Sequence, residues 1–393
     1  MKPTILIFTG YYFPGYKSGG ILRNIVNTID NLAEYYQFCI VTRDRDLGDL
    51  HPYTEVSTAQ WNQIGKALVF YLPPNGATLA HLRELLNTTT YDVIYLTSFF
   101  DSLTVKLLFI RRFSRISSKR VIVAPFGEFA WASFRQKIIK KVIYVVLARL
   151  FGLYKGVIWR VSSKFEAADL VKAMSPPEAT IMVVGDLPIC ANSTSKMSLG
   201  ETDKPANLTN DLKIVFLSRI SKEKNLDVAL SILSKVNSRV VFDIYGPIEN
   251  KSYWTDCQKL IAKMPSNIVV RYCGIVRPTK ILDTFGAYDL FLFPTGGEAY
   301  GNVIAESLSA GTVVLTSQNT PWRNLQADGL GWDLDVRDID EFASVIEIEA
   351  TRDLNYRAVQ RKCAMEAVCS RLFDPEVMDS NLRLFGLDNR IIK

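Results

Sequence analysis

Short, continuous apolar runs alternate along the chain with longer stretches of helical spacing, and the rhythm repeats in both halves. Runs rich in Val, Ile, Leu and Phe, bounded by Gly, Pro, Asn or Asp, read as buried strands, and the stretches between them as covering helices. In the first half the predicted strands are Thr4–Thr9, Phe38–Thr42, Ala67–Leu72, Val93–Thr97, Val121–Ala124, Val157–Val161 and Ile181–Val184. In the second half they are Lys213–Ser218, Val240–Tyr245, Ile268–Cys273, Leu290–Pro294 and Thr312–Thr316. Strands apolar on both faces and separated by helices build parallel sheets with helices on either side. The predicted fold class is therefore α/β, with two doubly wound, Rossmann-like domains facing a cleft. Residues 1–190 form the first, 213–375 the second, and the Ser-, Thr-, Asn- and Lys-rich stretch 191–212 the linker. Residues 376–393 are expected to pack back on the first domain.

Composition narrows the function classes. At 393 residues, 48% hydrophobic and 22% charged, the chain has the makeup of an ordinary soluble protein and is longer than one core usually serves. A formal net charge of +6 is mild and dispersed, which argues against nucleic acid and suits anionic ligands or an anionic membrane surface. Cys39, Cys190, Cys257, Cys273, Cys363 and Cys369 show no Cys-x-x-Cys pair, so reduced thiols in a cytoplasmic protein are the simplest account. With only His51 and His81 available, a zinc site is not expected. The opening apolar run is too short for a signal peptide and reads as a buried strand, and no run approaches the roughly 20 residues of a spanning helix.

The chemistry concentrates beyond predicted strand ends. Glu298 and Glu306 lie in Pro294-Thr-Gly-Gly-Glu-Ala-Tyr-Gly-Asn-Val-Ile-Ala-Glu306, where a strand ends, a glycine turn follows and a helix begins near Gly301. A fully helical span would separate the two carboxylates by roughly 12 Å, about the reach of a sugar nucleotide from hexose to ribose. A helix N-terminus lies between them, where a diphosphate is favoured. In Leu217-Ser-Arg-Ile-Ser-Lys-Glu-Lys224, a strand runs into a loop carrying Arg219, Lys222 and Lys224. Fixed cations there can neutralise a leaving diphosphate without a metal, although a solvated basic loop would look the same. The pair Gly19-Gly20 follows the first strand and opens a helix, which lets phosphate or sugar approach backbone amides; a plain turn is the alternative.

Two further features have bland readings beside the sharp ones. The strings Asp44-Arg-Asp46, Asp333-Leu-Asp335 and Asp338-Ile-Asp340 could each suggest a divalent ion, but they read as surface carboxylates, and no metal is expected. Residues 135–151 project Lys137, Lys140 and Lys141 on one side of a helix and most of the Ile, Val and Leu on the other. That pattern suits a helix lying on an anionic membrane, and it equally suits a core helix with a wet basic face.

These residues resemble glycosyltransferase family four, the retaining GT-B enzymes that use nucleotide sugars. The resemblance covers nearly the whole length and is most specific at Ile214–Ile220 with Lys224, Tyr245-Gly246, Cys273–Val276, Phe293–Gly311 and Asn319–Leu325. It extends to the Gly19-Gly20 loop, Thr42–Asp46, Ala124–Glu128 and Val161–Glu166 in the first half, which in this family usually serves the acceptor. The resemblance implies that Glu298 binds hydroxyls of the donor sugar and Glu306 those of the ribose. Arg219 and Lys224 would bind the diphosphate, with amides around Gly301, Asn302 and Val303 capping it and Gly19 and Gly20 facing it from the other domain. It implies no cofactor, a nucleotide sugar donor, and a glycan or lipid-linked acceptor in bacterial surface polysaccharide synthesis, at the inner face of the membrane. Two departures stand out: Phe126 replaces the His or Arg many relatives carry, and Ala299-Tyr300-Gly301 replaces Gly-Phe-Gly. A catalytically weak nucleotide-sugar-binding or assembly protein is the alternative. A glycoside hydrolase would use the two glutamates but leave Arg219, Lys224 and the glycine pair without a role.

Overall fold

The computed structural model describes residues 2–113, 120–134, 138–187, 211–298, 300–372 and 374–386. The chain splits into two compact units, Met1–Ile189 with Pro375–Lys393, and Cys190–Asp374. The expected linker lies outside the described residues through position 210, and Leu212 already opens a strand.

Among the described residues, the first unit holds an eight-stranded sheet: β1 (Thr4–Phe8), β2 (Gln37–Arg43), β3 (Trp61–Ile64), β4 (Ala67–Leu72), β5 (Val93–Leu96), β6 (Arg120–Val123), β7 (Ile158–Val161) and β8 (Ile181–Val183). Its order is β3-β4-β2-β1-β5-β6-β7-β8, parallel except where β3 pairs antiparallel with β4. Ile5 and Ile7 alternate with Leu6 and Phe8, and both sets are buried, one on each face. The strand order reverses between β1 and β5, so the loops leaving these two strands open at a switch point.

The helix Pro375–Phe385 belongs to this unit through its packing. Leu382, Leu384 and Phe385 enter the core beside Ile5, Ile7 and Tyr36. Phe385 meets Tyr36 and Tyr95 edge-on, with ring centroids 5.7 and 5.5 Å apart. Tyr36 Oη donates to Leu382 O at 2.9 Å, and Asn381 Nδ2 donates to Gly185 O at 3.0 Å. Buried polar groups so satisfied fix the helix in register as well as in depth.

The second unit holds β9 (Leu212–Leu217), β10 (Val240–Tyr245), β11 (Ile268–Gly274), β12 (Leu290–Phe293), β13 (Val313–Ser317) and β14 (Gly331–Leu334) in the order β11-β10-β9-β12-β13-β14, all parallel. Phe216, Phe242, Phe291 and Phe293 are fully buried in its core, each contributing about 1.5–3 kcal/mol by leaving water. The order reverses between β9 and β12, which places the switch point where Arg219 and Glu298 follow their strands. Two strands lie outside the sequence expectation, β3 and β14. Both are only four residues long and lie at a sheet edge, and their polar residues, Asn62 and Gln63 in one and Asp333 in the other, leave neither with a continuous apolar run.

Candidate functional site at the second switch point

Gly246 shapes the exit of β9. At φ 138° its backbone passes so close that a Cβ would lie 1.8 Å from Ser218 O, so only glycine lets the ends of β9 and β10 approach this way. Arg219 leaves from this junction, and a single 3-10 turn, Lys222–Lys224, follows. Asn225, left-handed at φ 54°, then donates from Nδ2 to Pro294 O at 2.9 Å. Gly296 N donates to Glu223 O at 2.8 Å, so the loop after β12 is laid directly on the loop after β9.

That join brings the predicted charges together. Lys224 Nζ meets Glu298 Oε1 at 2.5 Å, and Thr295 Oγ1 donates to the same oxygen at 3.4 Å. Glu298 N donates to Asn319 O at 3.1 Å, which also ties the loop to the segment after β13. Lys224 lies over the Phe293 ring at 5.8 Å, so an apolar surface backs its charge. Arg219 is divided between two carboxylates, Glu249 Oε2 at 2.8 Å and Glu223 Oε1 at 3.4 Å. Burial pushes the Glu223 carboxyl up, but Arg219, its backbone hydrogen bond, Lys224 and Ser221 outweigh burial and hold its pKa below the usual value. The cluster is thus a set of ion pairs around a buried, ionised Glu223.

Glu223 and Glu249 escaped the sequence reading. Glu223 had a signal, since it stands four residues after Arg219, whereas Glu249 comes from the next strand's exit and had none.

The helix Asn302–Ser309 begins at Gly301, whose φ of 84° and ψ of 53° are left-handed. A Cβ there would stand 3.2 Å from Ile304 Cδ1 and from two atoms of the Trp322 ring. Trp322 Nε1 donates to Tyr300 O at 2.7 Å and so pins the turn from behind. Asn302 and Glu306 fall one turn apart on the same helix face, and Glu306 is buried. The span from Glu298 to Glu306 is not one helix, because Glu298 and Gly301 precede it. The helical-rise estimate of their separation therefore does not apply.

In the first unit, Gly19 (φ 72°) stands at the N-terminus of the helix Gly20–Leu32. The loop from Gly10 to Gly20 is anchored from below by Asp46, whose carboxylate accepts from Tyr16 N at 2.7 Å, Lys17 N at 3.1 Å and Leu47 N at 2.8 Å. Asp44 and Asp46 are both buried, which corrects their reading as surface carboxylates: backbone amides and Arg45 supply the partners that make burial affordable. Asp333 is likewise structural, accepting from Arg323 Nε at 3.0 Å and Leu325 N at 2.9 Å, while Asp335 pairs with Arg337 and Asp338 caps a helix. Phe126, left-handed at φ 49°, lies with its ring 5.2 Å from the guanidinium carbon of Arg160. Arg160 is buried against Asp186, so this cation serves the core.

The solved structure of HepE from Anabaena, in complex with UDP and glucose, superposes with a TM-score of 0.70 at 17% identity, covering 97% of this chain and 98% of that one. The fold is GT-B. Residues 201–361, which carry the charge cluster of this GT-B chain, match the family model of glycosyl transferases group 1. The chain is 27% identical over 124 residues to the sulfoquinovosyl transferase SQD2 of Arabidopsis thaliana, covering 31% of this chain and 21% of the relative. It is 27% identical over 153 residues to the alpha-monoglucosyldiacylglycerol synthase of Streptococcus pneumoniae, covering 38% and 34%. The chain spans less than half the length of the curated relatives it matches.

Proposed function

We propose that the chain is a retaining glycosyltransferase of family four that moves a sugar from a nucleotide diphosphate sugar to a glycan or lipid-linked acceptor, without a metal or cofactor. The observation that carries this reading is the Lys224–Glu298 contact at the switch point, beside Arg219 and the helix opened by Gly301. Parallel sheets bind ligands beyond the carboxyl ends of strands at such a point. Cations beside a helix N-terminus suit a diphosphate. In this reading the carboxylates of Glu223, Glu249 and Glu298 occupy donors that ligand oxygens share when the donor binds.

Positive charge grows at the anomeric carbon and negative charge on the departing phosphate as the glycosidic bond breaks. Arg219 and Lys224 stabilise the second charge, commonly the largest electrostatic contribution in such a reaction. The acceptor hydroxyl attacks the same face, and its proton passes to the leaving phosphate oxygen, so no protein nucleophile is required. Glu298 orients hydroxyls of the transferred sugar, and Glu306 those of the ribose. The amides near Asn302 and Val303 receive the diphosphate, and the Gly19-Gly20 turn is assigned to ligand phosphate as well. The relative named for a glycolipid product, the alpha-monoglucosyldiacylglycerol synthase, favours a lipid-linked acceptor, and a role in bacterial surface polysaccharide synthesis is the setting we assign. Phe126 favours one second reading, a nucleotide-sugar-binding protein with weak catalysis, because its ring is committed to Arg160.

Thermal shift against UDP, GDP, ADP and their sugars tests donor binding, since a ligand of the folded state raises its midpoint. Release of nucleotide diphosphate in the presence of acceptor tests transfer. We expect one nucleotide series to stabilise the protein and Glu298→Ala to abolish release while keeping the shift. Stabilisation without release from the unaltered chain would favour the binding protein, and turnover of glycosides without nucleotide would overturn the transferase.

A further inference from the structure

The helix Ile138–Leu150 is turned opposite to a core helix with a wet basic face. Its inner side carries Val145 and Ala148, which are buried, together with Lys141, whose Nζ donates to Ser133 O at 2.7 Å and lies 5.0 Å from the Phe100 ring centroid. Its outer side exposes Ile139, Val142, Ile143, Val146, Leu147 and Leu150, with Ile139 at 73% and Leu150 at 76%. At about 100° per residue these six span an arc of about 140° on the helix. Residues 135–137, including Lys137, lie outside the described residues.

A second element extends the surface. The helix Ser102–Phe113 exposes Phe109 and Phe113, whose rings contact each other with centroids 4.6 Å apart. Arg112 Nε donates to Phe151 O at 3.2 Å, which sets this helix end beside the exposed Phe151. Cations border the apolar area: Lys140 and Arg149 on one helix, Arg111 and Arg112 on the other. Neither helix contains an acidic residue.

We propose that the outer face of the helix Ile138–Leu150, with Phe109, Phe113 and Phe151 beside it, seats in the headgroup region of an anionic phospholipid bilayer. Contiguous exposed apolar area of this kind marks an interaction surface. A cationic border with no acidic residue selects an anionic partner that is apolar just beneath its charge, which describes a lipid surface. A second copy of the chain fits poorly, because a two-fold contact would set Lys140 and Arg149 against like charges. No described helix is long and apolar enough to cross a membrane, so the helix lies along the surface. This inference stands independently of the sugar chemistry.

Co-sedimentation of the full chain with phosphatidylcholine vesicles, and with vesicles of equimolar phosphatidylcholine and phosphatidylglycerol, tests it. We expect pelleting with the anionic vesicles only. The double variant Ile139→Asp with Val146→Asp should bind about tenfold more weakly or worse. Lys140→Gln and Arg149→Gln should each weaken binding about fivefold. These positions are exposed, so unchanged circular dichroism and melting midpoint are expected in each variant. Equal pelleting of Ile139→Asp with Val146→Asp and the unaltered chain would overturn the proposal. So would an unaltered chain that ignores anionic vesicles, or one that is dimeric by light scattering and becomes monomeric in the double variant.

Discussion

The loops at the two switch points are held in contrasting ways. In the second unit the loops after β9 and β12 are held by charge: Lys224 on Glu298, and Arg219 on Glu223 and Glu249. In the first unit the loop after β1 is held mainly by backbone, the Tyr16 and Lys17 amides converging on the carboxylate of Asp46, with one exposed ion pair from Lys17 to Asp49 beside them. The buried acids differ in the same sense. Glu223 is held below its usual pKa by Arg219 and Lys224 against the push of burial, whereas burial raises Glu128 in the first unit to about 7. Ion pairs can trade one anion for another with little rearrangement, while a carboxylate saturated by amides fixes a shape. The second unit therefore presents exchangeable charge, and the first a fixed cradle.

Among variants that separate the two designs, Lys224→Ala should produce the largest effect. Under the proposed chemistry it lowers kcat/KM for transfer by about 10²–10³, measured by nucleotide diphosphate release. It should shift unfolding in urea by about 1–2 kcal/mol, less than loss of a fully buried partner, because the Glu298 carboxylate it leaves keeps some contact with solvent. Asp46→Ala should invert that pattern. Losing the acceptor of Tyr16, Lys17 and Leu47 amides costs about 3 kcal/mol, read as an earlier urea transition. A Lys224→Ala protein that unfolds early while keeping its activity would erase the distinction.

The acids give a pH test. In Glu128, burial raises the carboxyl and hydrogen bonds from Ser98 and the Phe99 and Phe100 amides, with Lys141 nearby, offset it only in part. Its folded pKa of about 7 stands above the ordinary glutamate value of about 4.5, so the folded state keeps the proton to higher pH than the unfolded state. The stability this contributes is full below about pH 4.5 and is lost as pH rises through about 7. We expect a fall of about 3 kcal/mol across that window in urea titrations, and a flatter profile in Glu128→Gln. An unchanged profile in the variant would assign the pH dependence to other groups.

Much of the fold was legible because buried parallel strands write continuous apolar runs, and all but β3 and β14 did so. Arg219, Lys224 and Glu298 were legible because each follows such a run, and the sheet order then sets β9 beside β12. Glu249 was not, since its approach to Arg219 depends on the close passage at Gly246, a backbone geometry that one glycine among many does not announce. Asp46 misled because a carboxylate satisfied by backbone amides has no partner visible in sequence, and Asp44 because a pair with its neighbour Arg45 reads the same whether buried or exposed. The helix Ile138–Leu150 was ambiguous for a related reason: periodicity gives two faces but not which of them meets the protein. Lys141 reaching Ser133 O decided it.

Gly301→Ala makes the finest cut between charge and shape in the second unit. At φ 84° an alanine is strained by about 1 kcal/mol, and its Cβ would press on Ile304 and Trp322 at 3.2 Å. The turn opening the helix Asn302–Ser309 would then shift by a few tenths of an ångström while Lys224, Arg219 and Glu298 keep their partners. If the helix N-terminus receives the diphosphate, KM for the donor rises severalfold, about 1 kcal/mol, with kcat nearly constant. If charge alone holds the donor, the same variant melts slightly earlier with KM unmoved. The pair of readouts assigns the diphosphate either to the backbone of this helix or to the cations beside it.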